Sequence, residues 1–478
     1  MQQELLEQII LDRLQTIEEL QNKYLPFKLG EEQKTVLFKI LEYIDSFDDD
    51  ILTLSGCAGS GKSSCMKLVI EYLETVGINY LLAAPTNKAS NVLSQWTQRE
   101  SITLHRLLEL KPTLDIMLLD FKDLKYTTNS NSSGIPYKGV LIVDECSMIN
   151  DVLYDFIVNK SQEKNAKIIF VGDVKQCAPV KESHISKAFS KGIQLQLNEV
   201  YRQEKDNPIL NVLDTLRNQC IYNFSSIVSN NGSIVIYNDW KRLIKNTKKL
   251  FIKAIEHQNP TEVKLIAYTN KRIEAFNSII RESLFEEAEE YQIGEFLTGY
   301  DTTVNKVHPL EFGFDIINSE DYIIKDLQPS GKFIGDNYFS GYILSLKEAY
   351  SDKEGDVFII SKKEPQCKFD DLAKEIENIR ISAISIKDKK RAAIYWKKYF
   401  SMMESFLTPV DLIYNDRTIR KKSLDYGYCI SVHKSQGSTI DNVLVDMSNL
   451  FVCRNKEDLR QLQYVALSRT KNNIVMLI

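Results

Sequence analysis

The sequence predicts an α/β protein built from two parallel-sheet units. Short apolar strands alternate with helical patterns in two separate stretches, and a glycine-rich loop joins the first of these strands to a helix. Within the second stretch, over residues 299 to 421, the alternation is lost, which marks an insertion.

A length of 478 residues exceeds what one compact core holds, so two to four domains are expected. The composition, 43% hydrophobic and 26% charged, is that of an ordinary globular chain. No run approaches the roughly 18 to 20 apolar residues of a membrane span. The N-terminus, MQQELLEQIILDRLQTIEEL, is acidic and amphipathic, unlike a secretory leader. The expected location is the cytoplasm (the host cytoplasm for a viral chain), with the nucleus as the alternative. The eight cysteines lack C-x-x-C spacing and read as reduced, mostly buried thiols. With a net charge of −5, any nucleic-acid surface must be a local concentration of positive charge.

Taken in order, residues 1 to 28 carry Leu6, Ile9, Ile10, Leu14, Ile17 and Leu20 at helical spacing. They predict a helix that buries one stripe on the first domain, with partner docking as the alternative. From residue 51 the strands ILTLSG, NYLLAAPT, GVLIVDE, AKIIFVGD and QLQLNE follow, then VKLIAYTN and NVLVDM in the second unit. Residues 111 to 138 include the polar tract TTNSNSSG, expected as a mobile loop or hairpin tip. Residues 299 to 421 mix strand-like runs with the basic, aromatic segment KDKKRAAIYWKKYF. Solvated lysines with Tyr395, Trp396 and Tyr399 tucked inward are favoured there over a DNA contact.

The sharpest chemical signal is Gly56-Cys57-Ala58-Gly59-Ser60-Gly61-Lys62-Ser63, followed by Ser64. Glycines let the backbone N–H groups turn toward phosphate oxygens, Lys62 reaches the β- and γ-phosphates, and the Ser63 hydroxyl ligates Mg²⁺. Cys57 lies inside this loop, so its alkylation is expected to block nucleotide. The strand Val140-Leu141-Ile142-Val143 then delivers Asp144 and Glu145 at its carboxyl end, where open α/β sheets place ligands. Asp144 suits the Mg²⁺ shell, and Glu145 suits polarisation of the attacking water. A further strand ends in Gly172-Asp173-Val174-Lys175-Gln176-Cys177-Ala178-Pro179, where Gln176 can hydrogen-bond both the γ-phosphate and that water.

The order D-E followed by G-D-x-x-Q-x-x-P resembles the superfamily 1 helicases. Leu197-Asn198-Glu199-Val200-Tyr201-Arg202-Gln203, Val432-His433-Lys434-Ser435-Gln436-Gly437-Ser438-Thr439 and Tyr464-Val465-Ala466-Leu467-Ser468-Arg469-Thr470 continue the likeness. Ala83-Ala84-Pro85-Thr86, Thr103-Leu104-His105 and Ala267-Tyr268-Thr269-Asn270 point to group B, the Dda-like and RecD-like enzymes. The resemblance implies two RecA-like P-loop motor domains with small inserted domains. Residues 29–197 would form domain 1A, with insertion 1B at about 111–138. Residues 198–298 and 422–478 would form 2A, and 299–421 the inserted 2B.

It further implies an ATP- and Mg²⁺-dependent DNA helicase that moves 5′ to 3′ on single-stranded DNA. Arg202 and Arg469 would reach the γ-phosphate from the second domain, and Gln33 would read the adenine edge. Thr86, His105, His433, Lys434 and Ser435 would contact DNA. The 1B hairpin would supply the strand-separating wedge, with Phe121 or Tyr126 at the fork or else in the core of the insert. The implied partners are single-stranded and forked DNA, with replication or recombination proteins as the protein class; a monomer and no membrane association are expected. An RNA-directed helicase, a protein-displacing translocase and a non-hydrolysing scaffold remain as alternatives.

Overall fold

The computed structural model describes residues 2–46, 50–57, 59–108, 111–113, 125–127, 134–179, 182, 184–199, 207–285, 289–305, 307, 313–351, 353–414 and 417–478. Among these residues no helix is long and apolar enough to cross a membrane.

Each strand expected from the sequence forms. The first sheet has six strands in the order Ser101–Thr103, Tyr80–Ala84, Val140–Val143, Lys167–Gly172, Ile51–Gly56 and Ile193–Leu197, all parallel. The central runs are apolar on both faces because helices cover both sides, as a parallel sheet requires. The second sheet runs Cys429–Ser431, Val263–Ala267, Ile440–Asp446, Thr470–Leu477, Gly232–Tyr237 and Ile227–Ser229. Only its last pair is antiparallel. Two mainly parallel α/β sheets within one chain are the architecture of paired RecA-like domains.

The helix Gln2–Tyr24 follows the expected pattern over part of its length. Ile17, Leu20 and Gln21 are buried against Glu31–Asp45 and Lys62–Val76, whereas Ile9, Ile10 and Leu14 are exposed. At 23 residues the helix is about 35 Å long, and its side chains from Glu7 to Asp12 are exposed.

A third, antiparallel sheet runs Glu354–Ile360, Asn337–Glu348, Asp321–Ile334, Phe296–Gly299 and Leu424–Tyr426. Its long hairpin pairs Ile334 with Asn337, leaving a two-residue turn in which Gly335 takes φ +59°. The helices Gln366–Ser385 and Lys389–Met403 cover one end of this sheet through Leu372, Ile376, Trp396 and Tyr399. Trp396 and Tyr399 do turn inward, while Tyr395 stays exposed. In the 111–138 segment, Lys111–Thr113 pairs antiparallel with Lys125–Thr127. Phe121 and most of the polar tract lie outside the described residues, as does the side chain of Tyr126.

The three sheets meet at a buried charge cluster. Asp321 opens a strand of the third sheet, and its carboxylate lies 3.0 Å from Lys264 Nζ of the second sheet and 3.4 Å from Lys88 Nζ of the helix Asn87–Thr97. All three are at most 2% exposed. Burial alone would raise the Asp321 carboxyl, but the two ammonium groups outweigh it and hold the group below its ordinary value. Thr298 Oγ1 donates to the same carboxylate at 2.6 Å. Asp321→Ala strands two buried cations, so it should lower the unfolding free energy by about 3–5 kcal/mol in equilibrium denaturation. A loss below about 1 kcal/mol would show that water screens the cluster.

Candidate active site

The first sheet delivers three loops at its carboxyl edge. The strand Lys167–Gly172 sits between Ile51–Gly56 and Val140–Val143, so the loop carrying Gln176 rises between the phosphate loop and the Asp144–Glu145 pair. Gly59 and Gly61 take φ of +83° and +89°, a region side chains rarely adopt. Gly61 caps the helix Lys62–Val76. Lys62 Nζ donates to Gly56 O at 2.5 Å and Cys57 O at 3.0 Å, folded over its own loop. Ser60 Oγ also donates to Cys57 O, at 2.9 Å. Ser63 is exposed at the helix start, Ser64 is half-buried, and Ala58 lies outside the described residues.

Gln33 backs this loop. Its Nε2 donates to Ser60 O at 3.0 Å, its Oε1 accepts from Gly30 N at 3.0 Å, and the side chain is buried. Both groups of the amide expected at the adenine edge are thus bonded within the chain, one of them to the phosphate loop. Cys57 departs from expectation. It is 8% exposed and burial pushes its thiol up, which disfavours the thiolate that alkylation needs.

Asp144 and Glu145 follow directly on their strand. Burial and the adjacent Glu145 carboxylate raise Asp144 above the usual carboxylate range. Glu145 takes φ +52°, a left-handed conformation costly for a side chain that carries a Cβ. Its own N–H donates to Asp144 Oδ1 at 2.8 Å, so the turn orients the Asp144 carboxylate. Ser147 Oγ, in the next turn, donates to Gln176 Oε1 at 3.3 Å. Two adjacent carboxylates, whose like charge the Lys62 ammonium only partly offsets, are hard oxygen donors. That donor set fits a small divalent cation such as Mg²⁺.

A seam to the second sheet closes the site. Tyr464 Oη, on the helix Lys456–Ser468, donates to Asp173 Oδ2 at 2.7 Å, with both residues at most 2% exposed. Ala178 N donates to Gln461 Oε1 of the same helix at 3.3 Å. Arg469 caps this helix and is buried, its Nε on Val465 O at 3.2 Å and its Nη2 on Ser468 Oγ at 3.1 Å. It thus stands at the seam but is spent on its own helix. Arg202 lies outside the described residues. Tyr464 and Asp173 sit inside the motifs singled out from the sequence, yet neither was assigned a role. Nothing in spacing alone says that a tyrosine in one motif bonds an aspartate in another.

The proposed DNA residues are not equivalent. Thr86 Oγ1 accepts from Ala89 N at 3.2 Å as the cap of Asn87–Thr97, and His105 is exposed. His433 is half-buried, and burial lowers its pKa, which favours the neutral ring. Lys434 is drawn to the third sheet. Its Nζ donates to Gly299 O at 3.1 Å and Ser319 Oγ at 3.3 Å and lies over the Tyr300 ring, and burial lowers it to about 8. Ser435 is fully buried with its hydroxyl on Val432 O at 2.7 Å, so the expected phosphate contact is not open to it here. The exposed member of this string is Thr439. With Ser438, Gln95, Asn259, Thr261 and Tyr350 it lines a cavity of about 350 Å³ where the three sheets converge.

Two family models match the chain, an AAA domain over residues 28–237 and a UvrD-like helicase C-terminal domain over 426–477. Protein R530 of Acanthamoeba polyphaga mimivirus is 27% identical over 93% of this chain and 99% of its own length. The ATP-dependent DNA helicase dda of Enterobacteria phage T4 is 29% identical over 52% of this chain and 55% of its own. The ATP-dependent RecD2 DNA helicase of Deinococcus radiodurans is 32% identical over 38% of this chain and 23% of its own. The chain therefore spans about half of the phage protein and under a quarter of RecD2.

A Cβ at position 61 would lie 2.0 Å from Gln33 Nε2, on a backbone at φ +89°. Gly61→Ala should therefore cost about 1–3 kcal/mol of stability and weaken fluorescent-nucleotide binding by about tenfold or more. Unchanged nucleotide affinity would mean that the loop does not depend on the Gln33 contact.

Proposed function

The chain resembles the superfamily 1 helicases of the Dda and RecD type, and from that premise we propose that it is an ATP-dependent DNA helicase. It translocates on single-stranded DNA from 5′ to 3′ and opens duplex at a fork. The observation that carries this reading is the buried bond from Tyr464 to Asp173. It joins the loop bearing Gln176, beside the phosphate loop, to the helix that ends in Arg469. Whatever occupies the phosphate loop is thereby coupled mechanically to the second sheet.

In the proposed cycle, the backbone N–H groups of residues 56–61 and Lys62 bind the triphosphate. Lys62 leaves its bonds to Gly56 O and Cys57 O to do so. Glu145, at the end of its strand on a backbone of φ +52°, orients and deprotonates the attacking water. Gln176, steadied by Ser147, bridges that water and the γ-phosphate. Arg202 and Arg469 approach from the second domain and neutralise the charge spread over the transferring phosphoryl group. Ser63 and Asp144 would hold Mg²⁺, which supplies charge neutralisation on the β- and γ-oxygens. Loss of the γ-phosphate removes the contacts of Gln176 and the arginines, and the two domains part.

DNA would run across the motor domains past Thr86, His105 and His433, over the junction cavity lined by Ser438 and Thr439. Neutral polar lining and main-chain amides suit a backbone grip that is blind to sequence. Domains 1A (29–197), 1B (about 111–138), 2A (198–298 with 422–478) and 2B (299–421) are the moving parts we assign, with the 1B hairpin as wedge. Replication or recombination proteins, acting on a monomeric enzyme in the cytoplasm or host cytoplasm, complete the reading.

Lys62→Ala and Glu145→Gln should each reduce ATP turnover by about 100-fold or more with an unchanged melting profile, and Glu145→Gln should still bind ATP. Turnover near that of the parent chain in either variant would remove these residues from the site. On partial duplexes, a 5′ single-stranded tail should support strand separation and a 3′ tail should not. Opening from the 3′ tail would reverse the polarity. Displacement of a bound protein block without duplex opening would make the chain a translocase instead.

A further inference from the structure

The helix Trp240–Glu256 carries six basic residues against one carboxylate, Glu256, in a chain whose net charge is −5. Its inner face, Leu243, Ile244, Phe251 and Ala254, packs on the second sheet through Val263, Leu265, Val475 and Leu477. The alternate strand residues Ile266, Ile474 and Met476 point the other way, toward the helix Lys456–Ser468 at the nucleotide seam. The basic helix therefore covers the sheet face turned away from the nucleotide, where the hydrolytic cycle makes no use of it.

At 3.6 residues per turn, Lys241, Arg242, Lys245, Lys248, Lys249 and Lys253 fall within one arc of about 140°. All but the half-buried Lys248 are exposed. A solvated lysine face ordinarily interleaves carboxylates at i,i+4 spacing. Here Lys241, Lys245, Lys249 and Lys253 succeed one another at that spacing, so each consecutive pair repels. Lys241 and Arg242 also stand in the first turn, at the positive end of the helix dipole. None of the six forms an ion pair among the described residues, and Lys241 has only the Trp240 ring, 5.7 Å from its Nζ. Such a row destabilises its own helix until an external polyanion neutralises it.

The row ends at the junction cavity. Asn259 N donates to Ala254 O at 2.9 Å, which folds the chain back onto the last turn of the helix. Asn259 and Thr261 then line the cavity with Ser438 and Thr439, and Thr261 O accepts from Asp441 N at 2.9 Å. Lys253, in that last turn, is the cation of the row nearest the cavity along the helix axis, and the helix runs on from there for most of its length of about 26 Å. We propose that this helix is a phosphate-binding track that holds single-stranded DNA beyond the junction cavity, its ammonium groups and Arg242 meeting successive backbone phosphates. The proposal rests on the reading of that cavity as part of the DNA path. It gives a chain of negative net charge the local positive surface that a polynucleotide requires.

The test follows, by fluorescence anisotropy, how the affinity for labelled oligothymidylate falls with salt, on a short strand of about 8 nucleotides and a long one of about 30. The parent chain is compared with the triple variant Lys245→Gln, Lys249→Gln, Lys253→Gln and with the triple variant Lys245→Arg, Lys249→Arg, Lys253→Arg. Loss of three phosphate contacts should reduce the slope of log affinity against log salt on the long strand by about 2, while the arginine variant keeps the parent slope. On the short strand the slope should move by less than about 0.5. Melting temperatures should match, because all three side chains are exposed. A long-strand slope within about 0.5 of the parent would leave the row to solvent or to an acidic protein segment and overturn the proposal. So would an equal fall on both strands, which marks a general field and not a track, or a fall confined to a duplex of the longer length. A parent chain that binds neither strand would instead defeat the underlying reading of the DNA path.

Discussion

A buried hydrogen bond between Tyr464 and Asp173 holds the two motor sheets in register at the nucleotide loops. Hydrogen bonds to a charged group contribute about 1.5–3 kcal/mol. That is enough to bias the seam and weak enough to be overridden by a bound triphosphate. Gln176 and Ala178 follow Asp173 in one loop, so the bonds of the helix Lys456–Ser468 to Asp173 and Ala178 lie within three residues of Gln176. Gln461 and Tyr464 lie one turn apart on that helix and face the seam, while Arg460 ties it to the helix Pro208–Leu216.

A second tie operates away from the nucleotide. Lys88 follows shortly after Thr86 on the helix that Thr86 caps, and its ammonium is buried against Asp321 of the inserted sheet. Asn91 and Gln95 of the same helix reach Glu320 Oε2 at 3.1 Å and Tyr350 O at 3.2 Å. Lys434, in the string resembling the DNA-coupling motif, bonds Gly299 and Ser319 at the base of the same insertion. The inserted sheet is thus connected to both proposed DNA-contacting segments. A displacement at one of these segments has a direct polar route to the other through it.

Much of this was legible in the sequence where chemistry and local geometry coincide. Gly59, Gly61 and Lys62 sit where strand, loop and helix demand them, and the apolar strands preceding Asp144 and Asp173 form the expected parallel core. The helical stripe of the first 28 residues was only half right, because periodicity reports which face is apolar and not how far the partner surface extends. Ser435 and Lys434 show a different limit. Their residue types suit phosphate binding, but tertiary packing turns one hydroxyl onto its own turn and one ammonium onto a neighbouring sheet. The contacts of Tyr464 and Asp321 were illegible because each joins segments from about 60 to 290 residues apart in sequence, beyond what local pattern encodes.

The central claim is that nucleotide chemistry and polynucleotide grip are two ends of one linkage. The most direct measurement is the ATP hydrolysis rate of the purified chain with and without single-stranded oligonucleotide. The linkage predicts stimulation of about tenfold or more at saturating oligonucleotide, within the range typical of coupled sites. A hydrolysis rate indifferent to oligonucleotide would contradict it.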